Sequence, residues 1–174
     1  MVFIGLDPGK HGGIAVVNDV GRVLEAVEMP ATERDILDLL QHLGAPEEAR
    51  AVLERVWSSP QMGVASAFTF GRGYGALRMA LTAAGIPFDE ITPGKWQALM
   101  GVLQPGAKQG QKDKNISKRR AQQLFPTLTI THALADALLI AEYCRRVNVT
   151  RHTGRNDGHE AQLAGAPQGG VRRH

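Results

Sequence analysis

The alternation of apolar and polar positions divides the chain into short strand-like runs and then mostly helical segments. Val2 to Leu6 is apolar up to Asp7-Pro8-Gly9, and Gly12-Gly13 opens a second run, Ile14 to Asn18, so the two read as a hairpin. Beyond a turn at Asp19 to Gly21, Val23, Ala26 and Val27 fit a third strand that Pro30 ends. Thr32 can cap a helix whose apolar positions Ile36, Leu37, Leu39, Leu40 and Leu43 recur at helical spacing before Gly44-Ala45-Pro46 breaks it. Ala51 to Val56 is a strand expected to run parallel to the first. Met62 to Ala84 reads as a long helix, although Gly63, Gly71, Gly73 and Gly75 weaken it by propensity and call for a reason. Ile86 to Ile91 is a fifth strand, and Pro93 starts a short helix through Met100. Val102 to Gln111 is a loop, Asn115 to Leu124 a basic helix closed by Pro126, and His132 to Val147 the last helix.

This order predicts an α/β fold, a mixed five-stranded sheet flanked by helices with its first strand central. A chain of 174 residues accommodates one such domain, taken as residues 1–147. From Asn148 onward Gly, Arg, His, Gln and Ala dominate, a composition too poor in apolar surface to offset its ordering entropy, so residues 148–174 are expected to form a flexible tail. The one cysteine, Cys144, excludes an internal disulfide framework and agrees with a reducing compartment, the cytoplasm by default. Asp7 and Lys10 interrupt the first apolar run before it reaches the length of a secretion signal, and no uncharged run reaches the roughly 18 residues that a membrane span needs.

The net charge is only +3 and permits a polyanionic partner without demanding one. Its distribution says more: Lys108, Lys112, Lys114, Lys118, Arg119 and Arg120 stand against Asp113 alone, which makes the lysines of this stretch candidates for phosphate contacts. The acids are the stronger signal. Asp7 ends the first strand, Glu54 interrupts the apolar run Ala51 to Val56, and Asp136 lies in a helix built of alanine and leucine. Carboxylates are seldom buried unless paired or bound to a cation, so three such acids on elements that can pack together form a convergent oxygen cage. His132 stands four residues before Asp136, on the same helix face. Oxygen donors with one optional histidine suit Mg²⁺, with Mn²⁺ able to substitute, better than zinc. Two such ions would suit phosphodiester hydrolysis.

Ile4-Gly5-Leu6-Asp7-Pro8-Gly9 followed by Gly12-Gly13-Ile14-Ala15 resembles the opening strand pair of RuvC-like Holliday junction resolvases, in particular their phage-like branch, within the ribonuclease H-like superfamily. Leu53-Glu54-Arg55, the glycine-rich stretch Gly63 to Gly75, Thr92-Pro93 to Trp96, Leu124-Phe125-Pro126 and Ala135 to Tyr143 continue the likeness in order. The resemblance implies a homodimer that acts on branched DNA, a four-way junction, by paired nicks leaving 5′ phosphates. It assigns Asp7, Glu54 and Asp136 as metal ligands, and His132, where the pattern usually has another acid, as a further ligand or general base. It also implies that the glycine-rich helix lies at the dimer interface. Phe68 and Phe70, on that helix, are candidates to pack there or to reach unstacked bases. Two rival readings stay open: a junction-binding protein with weak or no catalysis, and an actin-like or sugar-kinase-like ATPase fragment. The latter would need a second lobe for which the chain is short.

Overall fold

The computed structural model describes residues 1–43, 46–57, 62–106, 113 and 115–163, the last of these from 151 onward as backbone only. Five strands form one sheet in the order β3-β2-β1-β4-β5. These are β1 (Val2–Asp7), β2 (Gly13–Asn18), β3 (Val23–Glu28), β4 (Ala49–Glu54) and β5 (Phe88–Ile91). β1 pairs antiparallel with β2 and β2 with β3, whereas β4 runs parallel to β1 and β5 parallel to β4. The sheet is therefore mixed, with β1 at its centre.

Helices cover both faces, which is why β1 is apolar at successive positions rather than at alternate ones. Ile4 and Leu6 point into a cluster with Ile36 and Leu40 of α1 (Glu33–His42) and Leu77 and Leu81 of α2 (Val64–Ala83). Phe3 points the opposite way. It meets a cluster supplied by α3 (Pro93–Met100), α4 (Asn115–Leu124) and α5 (His132–Leu163). Among the described residues no helix is long and apolar enough to cross a membrane.

Local chemistry explains the element ends. Thr32 Oγ1 accepts from the Asp35 backbone N–H at 3.1 Å and caps α1. Pro93 occupies the first turn of α3, and Gly101 at φ 73° supplies its left-handed stop.

Two features differ from the reading of the sequence, and a third concerns α2. β4 ends at Glu54 instead of running on to Val56, so Glu54 closes the strand rather than interrupting it. The last helix continues past Val147 to Leu163, and Val147 and Val149 both pack against the core. The long helix α2 is half uncovered: its buried residues are Leu77, Ala80 and Leu81, whereas Val64 is 88 % and Phe68 73 % exposed. A Cβ at Gly71, Gly73 or Gly75 would meet nothing within 4 Å, so packing within the chain does not require these glycines.

Candidate active site

Side-chain parity decides which acids can meet. Along β1, Phe3, Gly5 and Asp7 share the α5 face, and along β4 Val52 shares it with Glu54. Leu6 is the register partner of Leu53, so Asp7 and Glu54 come next on neighbouring parallel strands at the same edge of the sheet. The chain turns away at once after Asp7: Gly9 takes φ 140° and its carbonyl accepts from the Gly12 N–H at 3.1 Å. Gly12 then passes so close that a Cβ there would overlap the Asp7 carbonyl and lie 3.2 Å from Asp7 Cγ.

Glycine also seats the helix that brings the third acid. A Cβ at Gly5 would collide with the backbone of Ala137 and Ala141, and one at Gly13 would lie 3.0 Å from the Ala133 carbonyl oxygen. Because both positions are bare, α5 lies directly on β1 and β2, and Asp136, next to Ala137, is carried to the end of β1.

The electrostatics reflect this convergence. The Asp7 carboxyl is pushed up from 3.8 to about 8, first by burial and then by the negative charges of Glu54 and Asp136. Asp136 is also pushed up by burial, against a hydrogen bond with Ser117 and the charge of His132, which lower it. Asp136 Oδ1 is buried with no hydrogen-bond partner. Among the described residues no three His, Cys, Asp or Glu side chains are drawn tightly enough to grip an ion as they stand. The chemistry of the set nevertheless fits a divalent cation: it consists of carboxylate oxygens, their charges repel one another, and one buried oxygen lacks a donor.

His132 is exposed in the first turn of α5 and, with Asp136, borders a cavity of about 490 Å³ that Gln97, Gln104 and Ser117 also line. Lys118 is half-buried beside Ser117 on α4, whereas Lys108, Lys112 and Lys114 lie outside the described residues. Part of the basic stretch is engaged within the chain. Arg119 pairs with Asp113 at 2.7 Å and Arg120 donates to the Met100 carbonyl at 3.0 Å.

Phe70 approaches Gly9, just past Asp7, and helps line a second cavity of about 800 Å³ together with Lys10, Thr32 and Arg72. Phe68 is not among the residues lining either cavity.

Two contacts were not foreseen from the sequence. Trp96 donates its indole N–H to Glu54 Oε1 at 2.8 Å, and Ser117 lies close enough to Asp136 to lower its carboxyl. A tryptophan four residues into a short helix was a partial signal, because a buried indole N–H requires an acceptor. Ser117 carried none.

No protein-family model and no curated protein matches the chain. Solved structures do. Thermus thermophilus RuvC superposes with a TM-score of 0.60 at 21% identity, covering 88% of this chain and 97% of that one. T. thermophilus RuvC in complex with a Holliday junction substrate superposes with a TM-score of 0.58, also at 21% identity, covering 81% of this chain and 90% of that one. The fold is thus that of RuvC, a ribonuclease H-like fold.

Proposed function

We propose that this chain is a divalent-metal-dependent, structure-selective endonuclease that resolves four-way DNA junctions by paired phosphodiester hydrolysis. The observation that carries the reading is the burial of Asp7 against Glu54 and Asp136, which pushes its carboxyl to about 8 at the sheet edge of a RuvC fold. Solvent-facing acids would avoid such repulsion, so a cluster that retains it is suited to a cation.

Asp7, Glu54 and Asp136 would hold Mg²⁺, two ions in the fullest form of the reading, with Mn²⁺ able to replace it. His132 would add a ligand or act as a general base from the rim. Divalent ions bound there would supply an activated water for in-line attack and stabilisation of the departing 3′ oxygen. The chain's own contribution is orientation: Gly5 and Gly13 let α5 settle, and the Gly9 turn leaves the Asp7 carboxylate at the edge.

Branched DNA would lie across this edge. Lys118, with Lys108, Lys112 and Lys114, would contact phosphates beside the carboxylates. The bare N-terminal half of α2 supports a homodimer, in which Gly71, Gly73 and Gly75 would let two backbones approach; Phe68 and Phe70 would pack there or reach unstacked bases. Residues 1–147 would form the nuclease domain, and the segment 148–174, whose first residues continue α5, would lie outside it, in a cytoplasmic protein.

One alternative is a protein that binds junctions without cutting them, which His132, standing where the resolvase pattern usually has another acid, favours. A synthetic four-way junction, incubated with and without Mg²⁺, separates the two. Symmetrical, Mg²⁺-dependent nicks with 5′ phosphates are expected, and Asp7→Asn should abolish them while junction binding persists. Binding without any metal-dependent cutting would establish the alternative.

A further inference from the structure

Glu54 and Trp96 are 42 residues apart in the chain, yet the topology makes them neighbours. Ile91 is the register partner of Glu54, and the Arg55 N–H donates to the Ile91 carbonyl at 2.6 Å, so β4 and β5 end side by side. Thr92 and Pro93 then turn the chain into α3, whose first turn brings Trp96 beneath the sheet with 0% of its surface exposed. There the indole N–H meets Glu54 Oε1 at 2.8 Å.

An indole offers one donor and no acceptor, and a carboxylate is the strongest acceptor it can meet. Trp96 is wedged in the core among Met100, Val102 and Ile91, so its ring cannot follow a moving partner. Glu54 carries a longer, unbranched side chain at the last residue of its strand. A fixed donor therefore anchors one oxygen of the carboxylate and narrows the positions open to the other.

We infer that Trp96 is a positioning residue, whose indole N–H holds Glu54 in the one orientation that converges with Asp7 and Asp136 on a divalent ion. The inference rests on the metal-dependent reading of the site. Partners of this kind, which orient a ligand without touching the ion, commonly change metal affinity by about 10-fold to 100-fold.

Trp96→Phe keeps most of the ring and removes the N–H. Mn²⁺ affinity measured by calorimetry should fall about 10-fold. In junction cleavage kcat should fall while KM for the junction stays unchanged. A second measurement leaves the core untouched. Trp57, 63% exposed, and Trp96 give two indole N–H signals in a ¹H–¹⁵N spectrum, and Trp57→Phe identifies which is which. Titration with Mg²⁺ should move the Trp96 signal saturably, and Asp7→Asn should abolish the movement.

Native Mn²⁺ affinity and native kcat in Trp96→Phe would overturn the inference and leave the nuclease reading standing. If that variant does not fold, a Trp96 signal indifferent to Mg²⁺ while Asp7-dependent Mn²⁺ binding is measurable would overturn it equally. Absence of both Mn²⁺ binding and cutting in the unmutated protein would remove the inference together with the reading on which it rests.

Discussion

Helix α5 carries a buried carboxylate and a half-buried one that solve the same problem in opposite ways. Near its middle, Glu142, with 5% of its side chain exposed, receives Arg145 Nε at 2.8 Å and Arg146 Nε at 2.7 Å. Arg145 in turn donates to the Asp19 carbonyl, which ties this cluster to the β2–β3 turn. Burial pushes the Glu142 carboxyl up, but the arginine hydrogen bonds outweigh it and hold the group below the ordinary carboxylate range. At the N-terminal end, Asp136 faces Asp7, whose other charged neighbour is Glu54, and both aspartates are pushed upward. One cluster carries two arginines of its own; in the other, His132 lowers Asp136 but burial prevails, and at Asp7 burial and the repulsion of the neighbouring acids act together. Buried charge is stable only when compensated, so the first cluster reads as architecture and the second as a site waiting for a ligand.

The sharpest way to break this contrast is to remove one of the mutually repelling acids. Asp7→Asn keeps the shape of the side chain and should lower junction cleavage by about 10³-fold, since metal ligation carries several kcal/mol of transition-state stabilisation. Junction binding, measured by mobility shift, should be retained. Cleavage that survives this change at near-native rate would show that the acids do not act as one set.

The contrast also depends on α5 lying directly on the sheet, where Gly5 permits contact with Ala137 and Ala141. Gly5→Ala forces a methyl group into helix backbone, which cannot yield as a flexible side-chain tip would. A loss of about 3 kcal/mol in urea unfolding is expected, at the upper end for overpacking. In whatever fraction stays folded, Asp136 should be displaced and Mn²⁺ affinity reduced.

The compensated cluster offers the converse test. Glu142→Gln leaves two arginines without their carboxylate, but Arg145 and Arg146 remain 22% and 36% exposed and water can replace part of the loss. The expected cost is about 2 kcal/mol, less than for a fully buried pair, with cleavage per folded molecule unchanged. Because the folded carboxyl lies below its unfolded value of 4.5, the stabilisation is present above that pH and is lost as acid is added below it. Glu142→Gln should therefore flatten the acid limb of the stability curve.

These tests bear on residues of uneven legibility. Asp7, Glu54 and Asp136 were legible because an acid in an apolar element is costly without a partner, and β1 could be placed at the centre from the order of the elements. The end of β4 was not: Val56 is a good strand former, and only pairing with the short β5 shows that the ladder stops at Glu54. Trp96 lay beyond local reasoning because its partner is 42 residues away. Gly5 looked like one more residue of a strand, since a close approach between backbones leaves no trace in hydrophobic pattern. The glycines of α2 were visible, but what they serve is not determined by contacts within the chain, where a Cβ would meet open space.

The effect most specific to the contrast is a stability slope of opposite sign at the two clusters. The Asp7 carboxyl stands at about 8 in the folded protein and at 3.8 when free, so across this interval the folded state holds a proton that the unfolded chain releases. Its contribution is complete below the unfolded value and is lost as pH rises through the folded one. Metal-free protein should consequently become less stable from about pH 4 to pH 8, by about 2 kcal/mol after allowance for partial solvation of the site. Asn at position 7 stays neutral throughout, so Asp7→Asn should flatten the slope and exceed the unmutated protein in stability at the alkaline end. Mg²⁺ should act in the same direction without mutation, because it favours the ionised carboxylates, and its stabilising effect should grow with pH. Thermal melts of both proteins across this range, with and without Mg²⁺, measure all three quantities. A metal-free melting temperature that is flat or rises over the interval would mean that Asp7 is compensated after all, and the two ends of α5 would no longer differ in kind.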